Sequence, residues 1–368
     1  MHAHIIYFNF LKPNGNGISI GGIQTYITNL IPVLKDCGYE VTVYQRSDID
    51  FHKQLEYCDV FGIKSSFGST PKTADMLLHK VEERIHKNTD LLIYGCESCI
   101  TRKVDYQTIA IQHGVAWDIP YPKGTRLRYI RNFIGKCRLT WVISERVRKV
   151  DTLVCVDYNF VNLLRAITPY TTSRQVVIPN FSDVPETRPL KEHTTVNIIF
   201  ARRFFPHRGT RLFASVAERL LARYKNLKIT IAGDGPDASY MRSRLEKYPS
   251  VKFITYENKD SLTIHKDQDI AVVPTLGSEG TSLSLLEAMA AGCAVVCTNV
   301  GGMTNIVLDG YNGFMTNPDE ISIYNKLVKL IDDPTLLTTM QKNAHETILQ
   351  AFSLEIWKKK WSEVIENV

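Results

Sequence analysis

No stretch of the chain approaches the ~20 consecutive apolar residues a membrane-spanning helix needs, so an integral membrane protein is not expected. Residues Met1 to Phe10 lack the basic start, long apolar run and small-residue cleavage site of a secretory signal, which points to a cytoplasmic protein. No fixed-period repeat and no low-complexity tract is present, which argues against solenoids and disordered linkers. Eight cysteines occur, but they do not form a zinc pattern. Cys96 and Cys99 make one C-x-x-C with no second pair and no nearby histidine cluster. Others sit inside apolar runs (Cys155 in LVCV, Cys293 and Cys297 in GCAVVC), where a thiol behaves as a small hydrophobe.

What is present is globular material. The 368 residues are 44% hydrophobic and 22% charged, enough for two cores. Apolar runs alternate with amphipathic segments, as in repeated βαβ units. HIIYFNF (4–10), EVTVYQ (40–45), DLLIYG (90–95), TIAIQH (108–113), TLVCVD (152–157) and VVIPN (176–180) read as strands, with a helix from Gly22 through Leu34. The polar, proline-containing VPETRPLKEH (184–193) reads as a linker. A second α/β series follows: VNIIFA (196–201), a helix over 211–224, LKITIAG (227–233), VKFITY (251–256), DIAVVPT (269–275), a helix over 282–291 and AVVCT (294–298). The last helix, 354–366, carries Trp357 and Trp361 one turn apart.

The formal charge is +6 and unevenly spread: between Tyr121 and Val150 nine Lys or Arg stand against one acid, Glu145, interleaved with apolar residues. Such a segment suits an anionic membrane surface, or is a solvated helix face with some arginines salt-bridged. Nucleic acid would use the same charge, but no recognition motif accompanies it.

The stretch GSEGTSLSLLEAMAAG (277–292) carries the most chemistry. A buried strand leads through a small-residue loop into a helix. The N–H groups of Gly280, Thr281, Ser282 and Leu283 would open that helix start to an anion such as a diphosphate. Glu279 and Glu287 are eight positions apart, placed for two ends of one long ligand. A hydrolase would need its pair across one bond, at roughly 5–9.5 Å.

This arrangement resembles the retaining GT-B glycosyltransferases of family 4, the group 1 glycosyltransferases. Their E-x7-E is matched by Glu279 and Glu287, followed by AMAAGCAVV, Gly301-Gly302 and DGYNGF (309–314). Upstream, ARRFFPHRG (201–209) and AGDGP (232–236, with Gly233) are similar to further motifs, as are GGIQTYITNL (21–30), QHG (112–114) and IPN (178–180). The resemblance implies two Rossmann-like domains with parallel sheets facing a central cleft. Residues 1–183 would form the acceptor domain, with helix 354–368 packing back on it, and residues 194–353 the donor domain. It implies that Arg202 and Arg208 neutralise the donor diphosphate and that Glu287 binds the ribose hydroxyls. On the same resemblance Glu279 would lie near the donor sugar, Gly22 would let a loop approach phosphate, and His113 would stand at the sugar end. Gly233 and the 280–283 helix start would complete the nucleotide site.

Ala201 replaces a usual glycine, Asn305 a common glutamate, Cys293 a common proline, and IPN continues as FSD. Asp48-Ile49-Asp50 spells a DxD in a polar loop without supporting context, and no metal or other cofactor is expected. The implied activity is metal-independent, retaining transfer from a nucleoside diphosphate sugar, a UDP-sugar first, to a glycan or lipid-linked acceptor in surface polysaccharide or glycoconjugate synthesis. A non-catalytic sugar-nucleotide-binding subunit and a nucleotide-sugar epimerase share the fold. A phosphorylase would need a pyridoxal lysine site that the sequence does not offer.

Overall fold

The computed structural model describes residues 1–19, 21–114, 125–168, 173–185, 195–257 and 260–368. Most of the 184–193 linker, and residues 121–124 of the basic segment, lie outside these. The chain divides into two compact units: residues 1–113, 123–179 and 357–368 form the first, and 114–122 with 180–356 the second.

The first unit is built on an eight-stranded sheet. Its strands are β1 (His2–Ile6), β2 (Glu40–Ser47), β3 (Phe51–Gln54), β4 (Asp59–Lys64), β5 (Leu91–Tyr94), β6 (Thr108–Gln112), β7 (Thr152–Cys155) and β8 (Arg174–Val177), in spatial order 3-4-2-1-5-6-7-8. All pairs are parallel except β3 with β4. β5, β6 and β7 are buried at every residue, because helices cover both faces of a parallel sheet. The β3–β4 edge was not legible in the apolar runs. β3 alternates half-buried and exposed residues and contains no apolar run at all.

Helix α1 (Gly22–Asp36) follows β1 and buries Tyr26, Ile27, Leu30, Ile31 and Leu34 on one face. Helix α2 (Pro71–Glu82) starts with Thr70 as cap and proline in its first turn. Helix α3 spans Arg126–Val147 and α4 spans Tyr158–Ile167. The terminal helix α11 (Leu354–Ile365) buries Trp357 and Trp361. The Trp361 indole N–H donates to the Tyr26 hydroxyl at 2.9 Å, and Trp357 meets the Tyr26 ring edge-on at 5.0 Å. The tryptophans spaced one turn apart thus anchor the C-terminus to α1 within the first unit.

The second unit holds β9 (Val196–Ala201), β10 (Leu227–Ala232), β11 (Val251–Ile254), β12 (Ile270–Val273), β13 (Ala294–Thr298) and β14 (Phe314–Thr316), all parallel, in order 11-10-9-12-13-14. Side chains along β9 alternate between two apolar clusters. Ile198 and Phe200 join Phe213 and Leu220 of α5 (Thr210–Arg223), while Ile199 and Ala201 join Leu285 and Met289 of α8 (Leu283–Ala290). Strand order therefore reverses between β9 and β12. In an open α/β sheet, ligands bind outside the strand carboxyl ends at such a reversal. The segments leaving that point are 202–209 and 274–282.

Candidate active site

Arg202 follows β9 directly, and its guanidinium is buried. Nη1 donates to Ser282 Oγ at 3.2 Å and to Ser284 Oγ at 3.0 Å, and Nη2 donates to Glu279 Oε2. Arg208 ends a short 3-10 turn after the same strand and donates from Nη1 to the same oxygen. Thr275, just past β12, adds its hydroxyl at 3.1 Å. One carboxylate oxygen therefore collects two guanidiniums and a hydroxyl. Burial pushes the Glu279 carboxyl up, but Arg202 and Arg208 outweigh it and hold the group below its ordinary range. Burial in turn pulls the Arg202 guanidinium down, opposed by Glu279. Two cations against one carboxylate leave one net positive charge at the head of α8.

That helix head carries further positive potential. Ser282 caps α8 without a side-chain hydrogen bond to the helix. Among the described residues, the N–H groups of Gly280, Ser282 and Leu283 have no acceptor within the chain. Oriented N–H groups and a helix start favour an anion there. Thr281 is held differently: Asn180 donates its backbone N–H to Thr281 Oγ1 at 2.8 Å and its Nδ2 to the Thr281 carbonyl at 2.6 Å. The asparagine of IPN thus braces the loop that presents Glu279.

The loop is also fixed by backbone contacts. Ser278 has φ 59°, a left-handed conformation that costs a non-glycine residue about 1–3 kcal/mol and concentrates at functional sites. Gly302 donates its N–H to the Glu279 carbonyl at 3.1 Å. At Gly301 (φ +56°) a Cβ would stand 2.0 Å from that same oxygen. The GlyGly turn is therefore a steric requirement for seating Glu279.

Glu287 lies one turn into α8, half-buried. Burial pushes its carboxyl up to about 7, against a hydrogen bond with Ser261 and the pull of Arg202. The Tyr256 hydroxyl is pushed up to about 12 by burial and by Glu287. In the first unit, Gly22 opens α1, one turn before Tyr26. His113 follows β6, with Nε2 donating to the Gly95 carbonyl at 2.9 Å and its ring edge-on to Tyr26 at 5.0 Å. Burial depresses its pKa to about 4, so the imidazole is neutral with Nδ1 as acceptor.

The structure thus brings Arg202 and Arg208 onto one oxygen of Glu279, holds Ser282 through the other arm of Arg202, and puts Gly233 against the Arg202 backbone. Thr275, Ser284, Ser261 and Tyr256 were missed by sequence reasoning. Thr275 stands four residues before Glu279, a spacing that means nothing until β12 is known to end just ahead of both. Asp50, from the DxD, accepts the Lys64 N–H at 2.7 Å at the β3–β4 edge.

Residues 186–347 match the family model described as glycosyl transferases group 1. The chain carries a group 1 glycosyltransferase domain. Over 256 residues it is 25% identical to an Escherichia coli protein, UDP-Gal:alpha-D-GlcNAc-diphosphoundecaprenol alpha-1,3-galactosyltransferase, covering 66% of this chain and 64% of that one. The chain spans between about a third and two thirds of the length of the first curated relatives it matches. Sucrose-phosphate synthase of Thermosynechococcus elongatus superposes with a TM-score of 0.77 at 15% identity, covering 99% of this chain and 98% of that one. Anabaena HepE, solved with UDP-glucose, superposes at 0.73 and 16% identity over 100% of both chains. The group 1 domain and its N-terminal partner unit have the GT-B fold, two parallel-sheet α/β domains.

Proposed function

We propose that this chain is a retaining, metal-independent glycosyltransferase using a nucleoside diphosphate sugar, with a UDP-sugar first among donors. One observation carries the reading. Two guanidiniums and the N-terminus of α8 converge at the carboxyl ends of β9 and β12, where a Rossmann-like sheet receives a diphosphate. Glu287, one turn further along α8, is the proposed partner of the ribose hydroxyls.

In the proposed reaction the bond from the anomeric carbon to the diphosphate oxygen breaks with oxocarbenium character, and its electron pair leaves on the diphosphate. Arg202, Arg208 and the helix start stabilise that developing charge, the largest kind of catalytic contribution. The acceptor hydroxyl attacks from the face the phosphate leaves, and its proton passes to a departing phosphate oxygen. The products are a nucleoside diphosphate and a glycoside of unchanged anomeric configuration. No side chain serves as nucleophile. Since the protein's own cations supply the compensating charge, the reading includes no metal. For the first unit it assigns neutral His113 as acceptor for a sugar hydroxyl and Gly22 as a point of close backbone approach.

The acceptor is proposed to be a glycan or lipid-linked saccharide of surface polysaccharide or glycoconjugate synthesis, met in the cytoplasm. The name of the Escherichia coli relative supports both the UDP donor and a lipid-linked acceptor. Eight cysteines, none in a disulfide, fit a reducing compartment. Calorimetric titration with UDP, GDP, ADP and their sugars, with and without EDTA, tests the reading. Binding of one nucleotide series, indifferent to EDTA and lost in Glu287→Ala, is expected. No binding of any nucleotide would overturn it.

A further inference from the structure

Helix α3 is largely uncovered. Of its 22 residues only Ile143, Ser144 and Val147 are buried, all in the last two turns. Before them Leu127 is 79% exposed, Phe133 60%, Ile134 60% and Trp141 65%. Exposed large apolar side chains are unremarkable singly, but these are contiguous on one helix.

Their arrangement is ordered. At about 100° per residue, Phe133, Cys137, Ile130, Trp141, Ile134 and Leu127 fall within one arc roughly 120° wide. Arg138, Arg131 and Arg128 follow on one side of it. The half-buried Asn132, Lys136 and Thr140 occupy the opposite flank and mark the side turned toward the unit. The centre of the apolar arc therefore lies about 120° around the helix from the covered side. Arg126 falls inside it at the first helical position, where a long side chain can reach past the arc, and Ser144 and Glu145 meet it only in the last two turns, where the helix is covered. From Thr125 to Ser144 the chain has five basic residues and no acidic one. Among the described residues, Arg126, Arg128, Arg131 and Arg138 make no ion pair.

We propose that α3 is an in-plane docking helix for an anionic lipid bilayer surface, its apolar arc entering the headgroup boundary and its arginines meeting lipid phosphates. An apolar stripe bordered by cations, on a helix too polar to span, is the pattern for lying in that interface. A second copy of the chain is the weaker occupant. A two-fold contact through this face would bring two acid-free basic helices together with no carboxylate before Glu145 to pair them. The proposal stands on α3 alone and is independent of the transfer reading.

The test is co-sedimentation of the full chain with vesicles of phosphatidylcholine alone and of phosphatidylcholine mixed with phosphatidylglycerol. Binding is expected on the mixed vesicles only, weakening with salt. Each basic residue at such a surface contributes about fivefold in affinity, so Arg131→Glu with Arg138→Glu should weaken binding at least about 25-fold. Phe133→Ser with Ile134→Ser should abolish it. All four positions are exposed, so circular dichroism and thermal midpoint should not change. Quenching of tryptophan emission by bromolipids, lost in Trp141→Phe, reads insertion without disturbing the charges. Equal or absent binding on the two vesicle types would overturn the proposal, as would binding untouched by these variants. A dimer dissociated by Phe133→Ser with Ile134→Ser would assign the face to a second copy instead.

Discussion

A Cβ placed on Gly233 would stand 2.0 Å from the carbonyl oxygen of Arg202. Gly233 has φ +137° and donates its N–H to the Ile254 carbonyl at 3.0 Å, so neither backbone can retreat without breaking the β10 side of the site. Gly233→Ala is expected to destabilise the second unit by about 1–3 kcal/mol from backbone strain alone, with the clash added. It should also weaken nucleotide binding, because the displaced atom belongs to the residue bearing the buried guanidinium. Thermal unfolding together with calorimetry reads both. An unchanged midpoint would show that the two segments shift apart freely.

Arg202 and Arg208 share one carboxylate oxygen but differ in burial, and this separates their expected phenotypes. Arg202→Met leaves Glu279 with Arg208 and the Thr275 hydroxyl and empties a buried donor position facing Ser282 and Ser284. Loss of one buried partner costs up to about 3–5 kcal/mol, reduced here because Arg208 remains. Arg208→Met, at a less buried position, should cost less stability. On the proposed reaction both should lower kcat by about 10²–10³. Arg202→Lys should restore some stability but not turnover, since an ammonium cannot span two serines and a carboxylate. Full activity in either methionine variant would remove that residue from the proposed machinery.

Trp361 donates to a Tyr26 hydroxyl that is fully buried and whose pKa burial raises. Tyr26→Phe removes the acceptor and leaves the indole N–H unsatisfied, at an expected cost of about 1–3 kcal/mol. The same ring faces His113 edge-on, so this variant should also loosen the imidazole. In a double-mutant cycle with Trp361→Phe, a coupling near zero would mean that the hydrogen bond does not hold the terminal helix.

The sequence made the strands legible where both faces are buried, because β5, β6, β7, β12 and β13 are apolar throughout or polar only at their ends. It did not disclose β3, whose short edge pairing leaves no hydrophobic period. The functional loop was legible through its small residues and two glutamates, since a backbone that must approach an anion excludes bulk. The pairing of Glu279 with both arginines was not legible. It depends on β9 and β12 being neighbours across a reversal of strand order, a property of topology that no local window of residues contains. The same holds for Asn180, which braces Thr281 from 101 positions away.

Glu287 gives the site a pH dependence whose sign can be worked out. Burial raises its carboxyl to about 7 in the folded chain, above the ordinary 4.5 it regains on unfolding. Between those values the unfolded chain binds fewer protons than the native one, so stability falls as pH rises from about 4.5 to 7 and then levels. Glu287→Gln cannot ionise and should lose this slope, gaining up to about 3 kcal/mol over the parent at pH 8 and nothing at pH 4. Affinity for a ribose should move the opposite way in the parent, rising as the carboxylate forms and becomes a pure acceptor. Thermal midpoints of parent and variant across this pH range, with nucleotide titrations at each end, separate the two effects. Parallel stability curves for parent and Gln variant would mean that Glu287 titrates as a solvated glutamate and that the helix does not desolvate it.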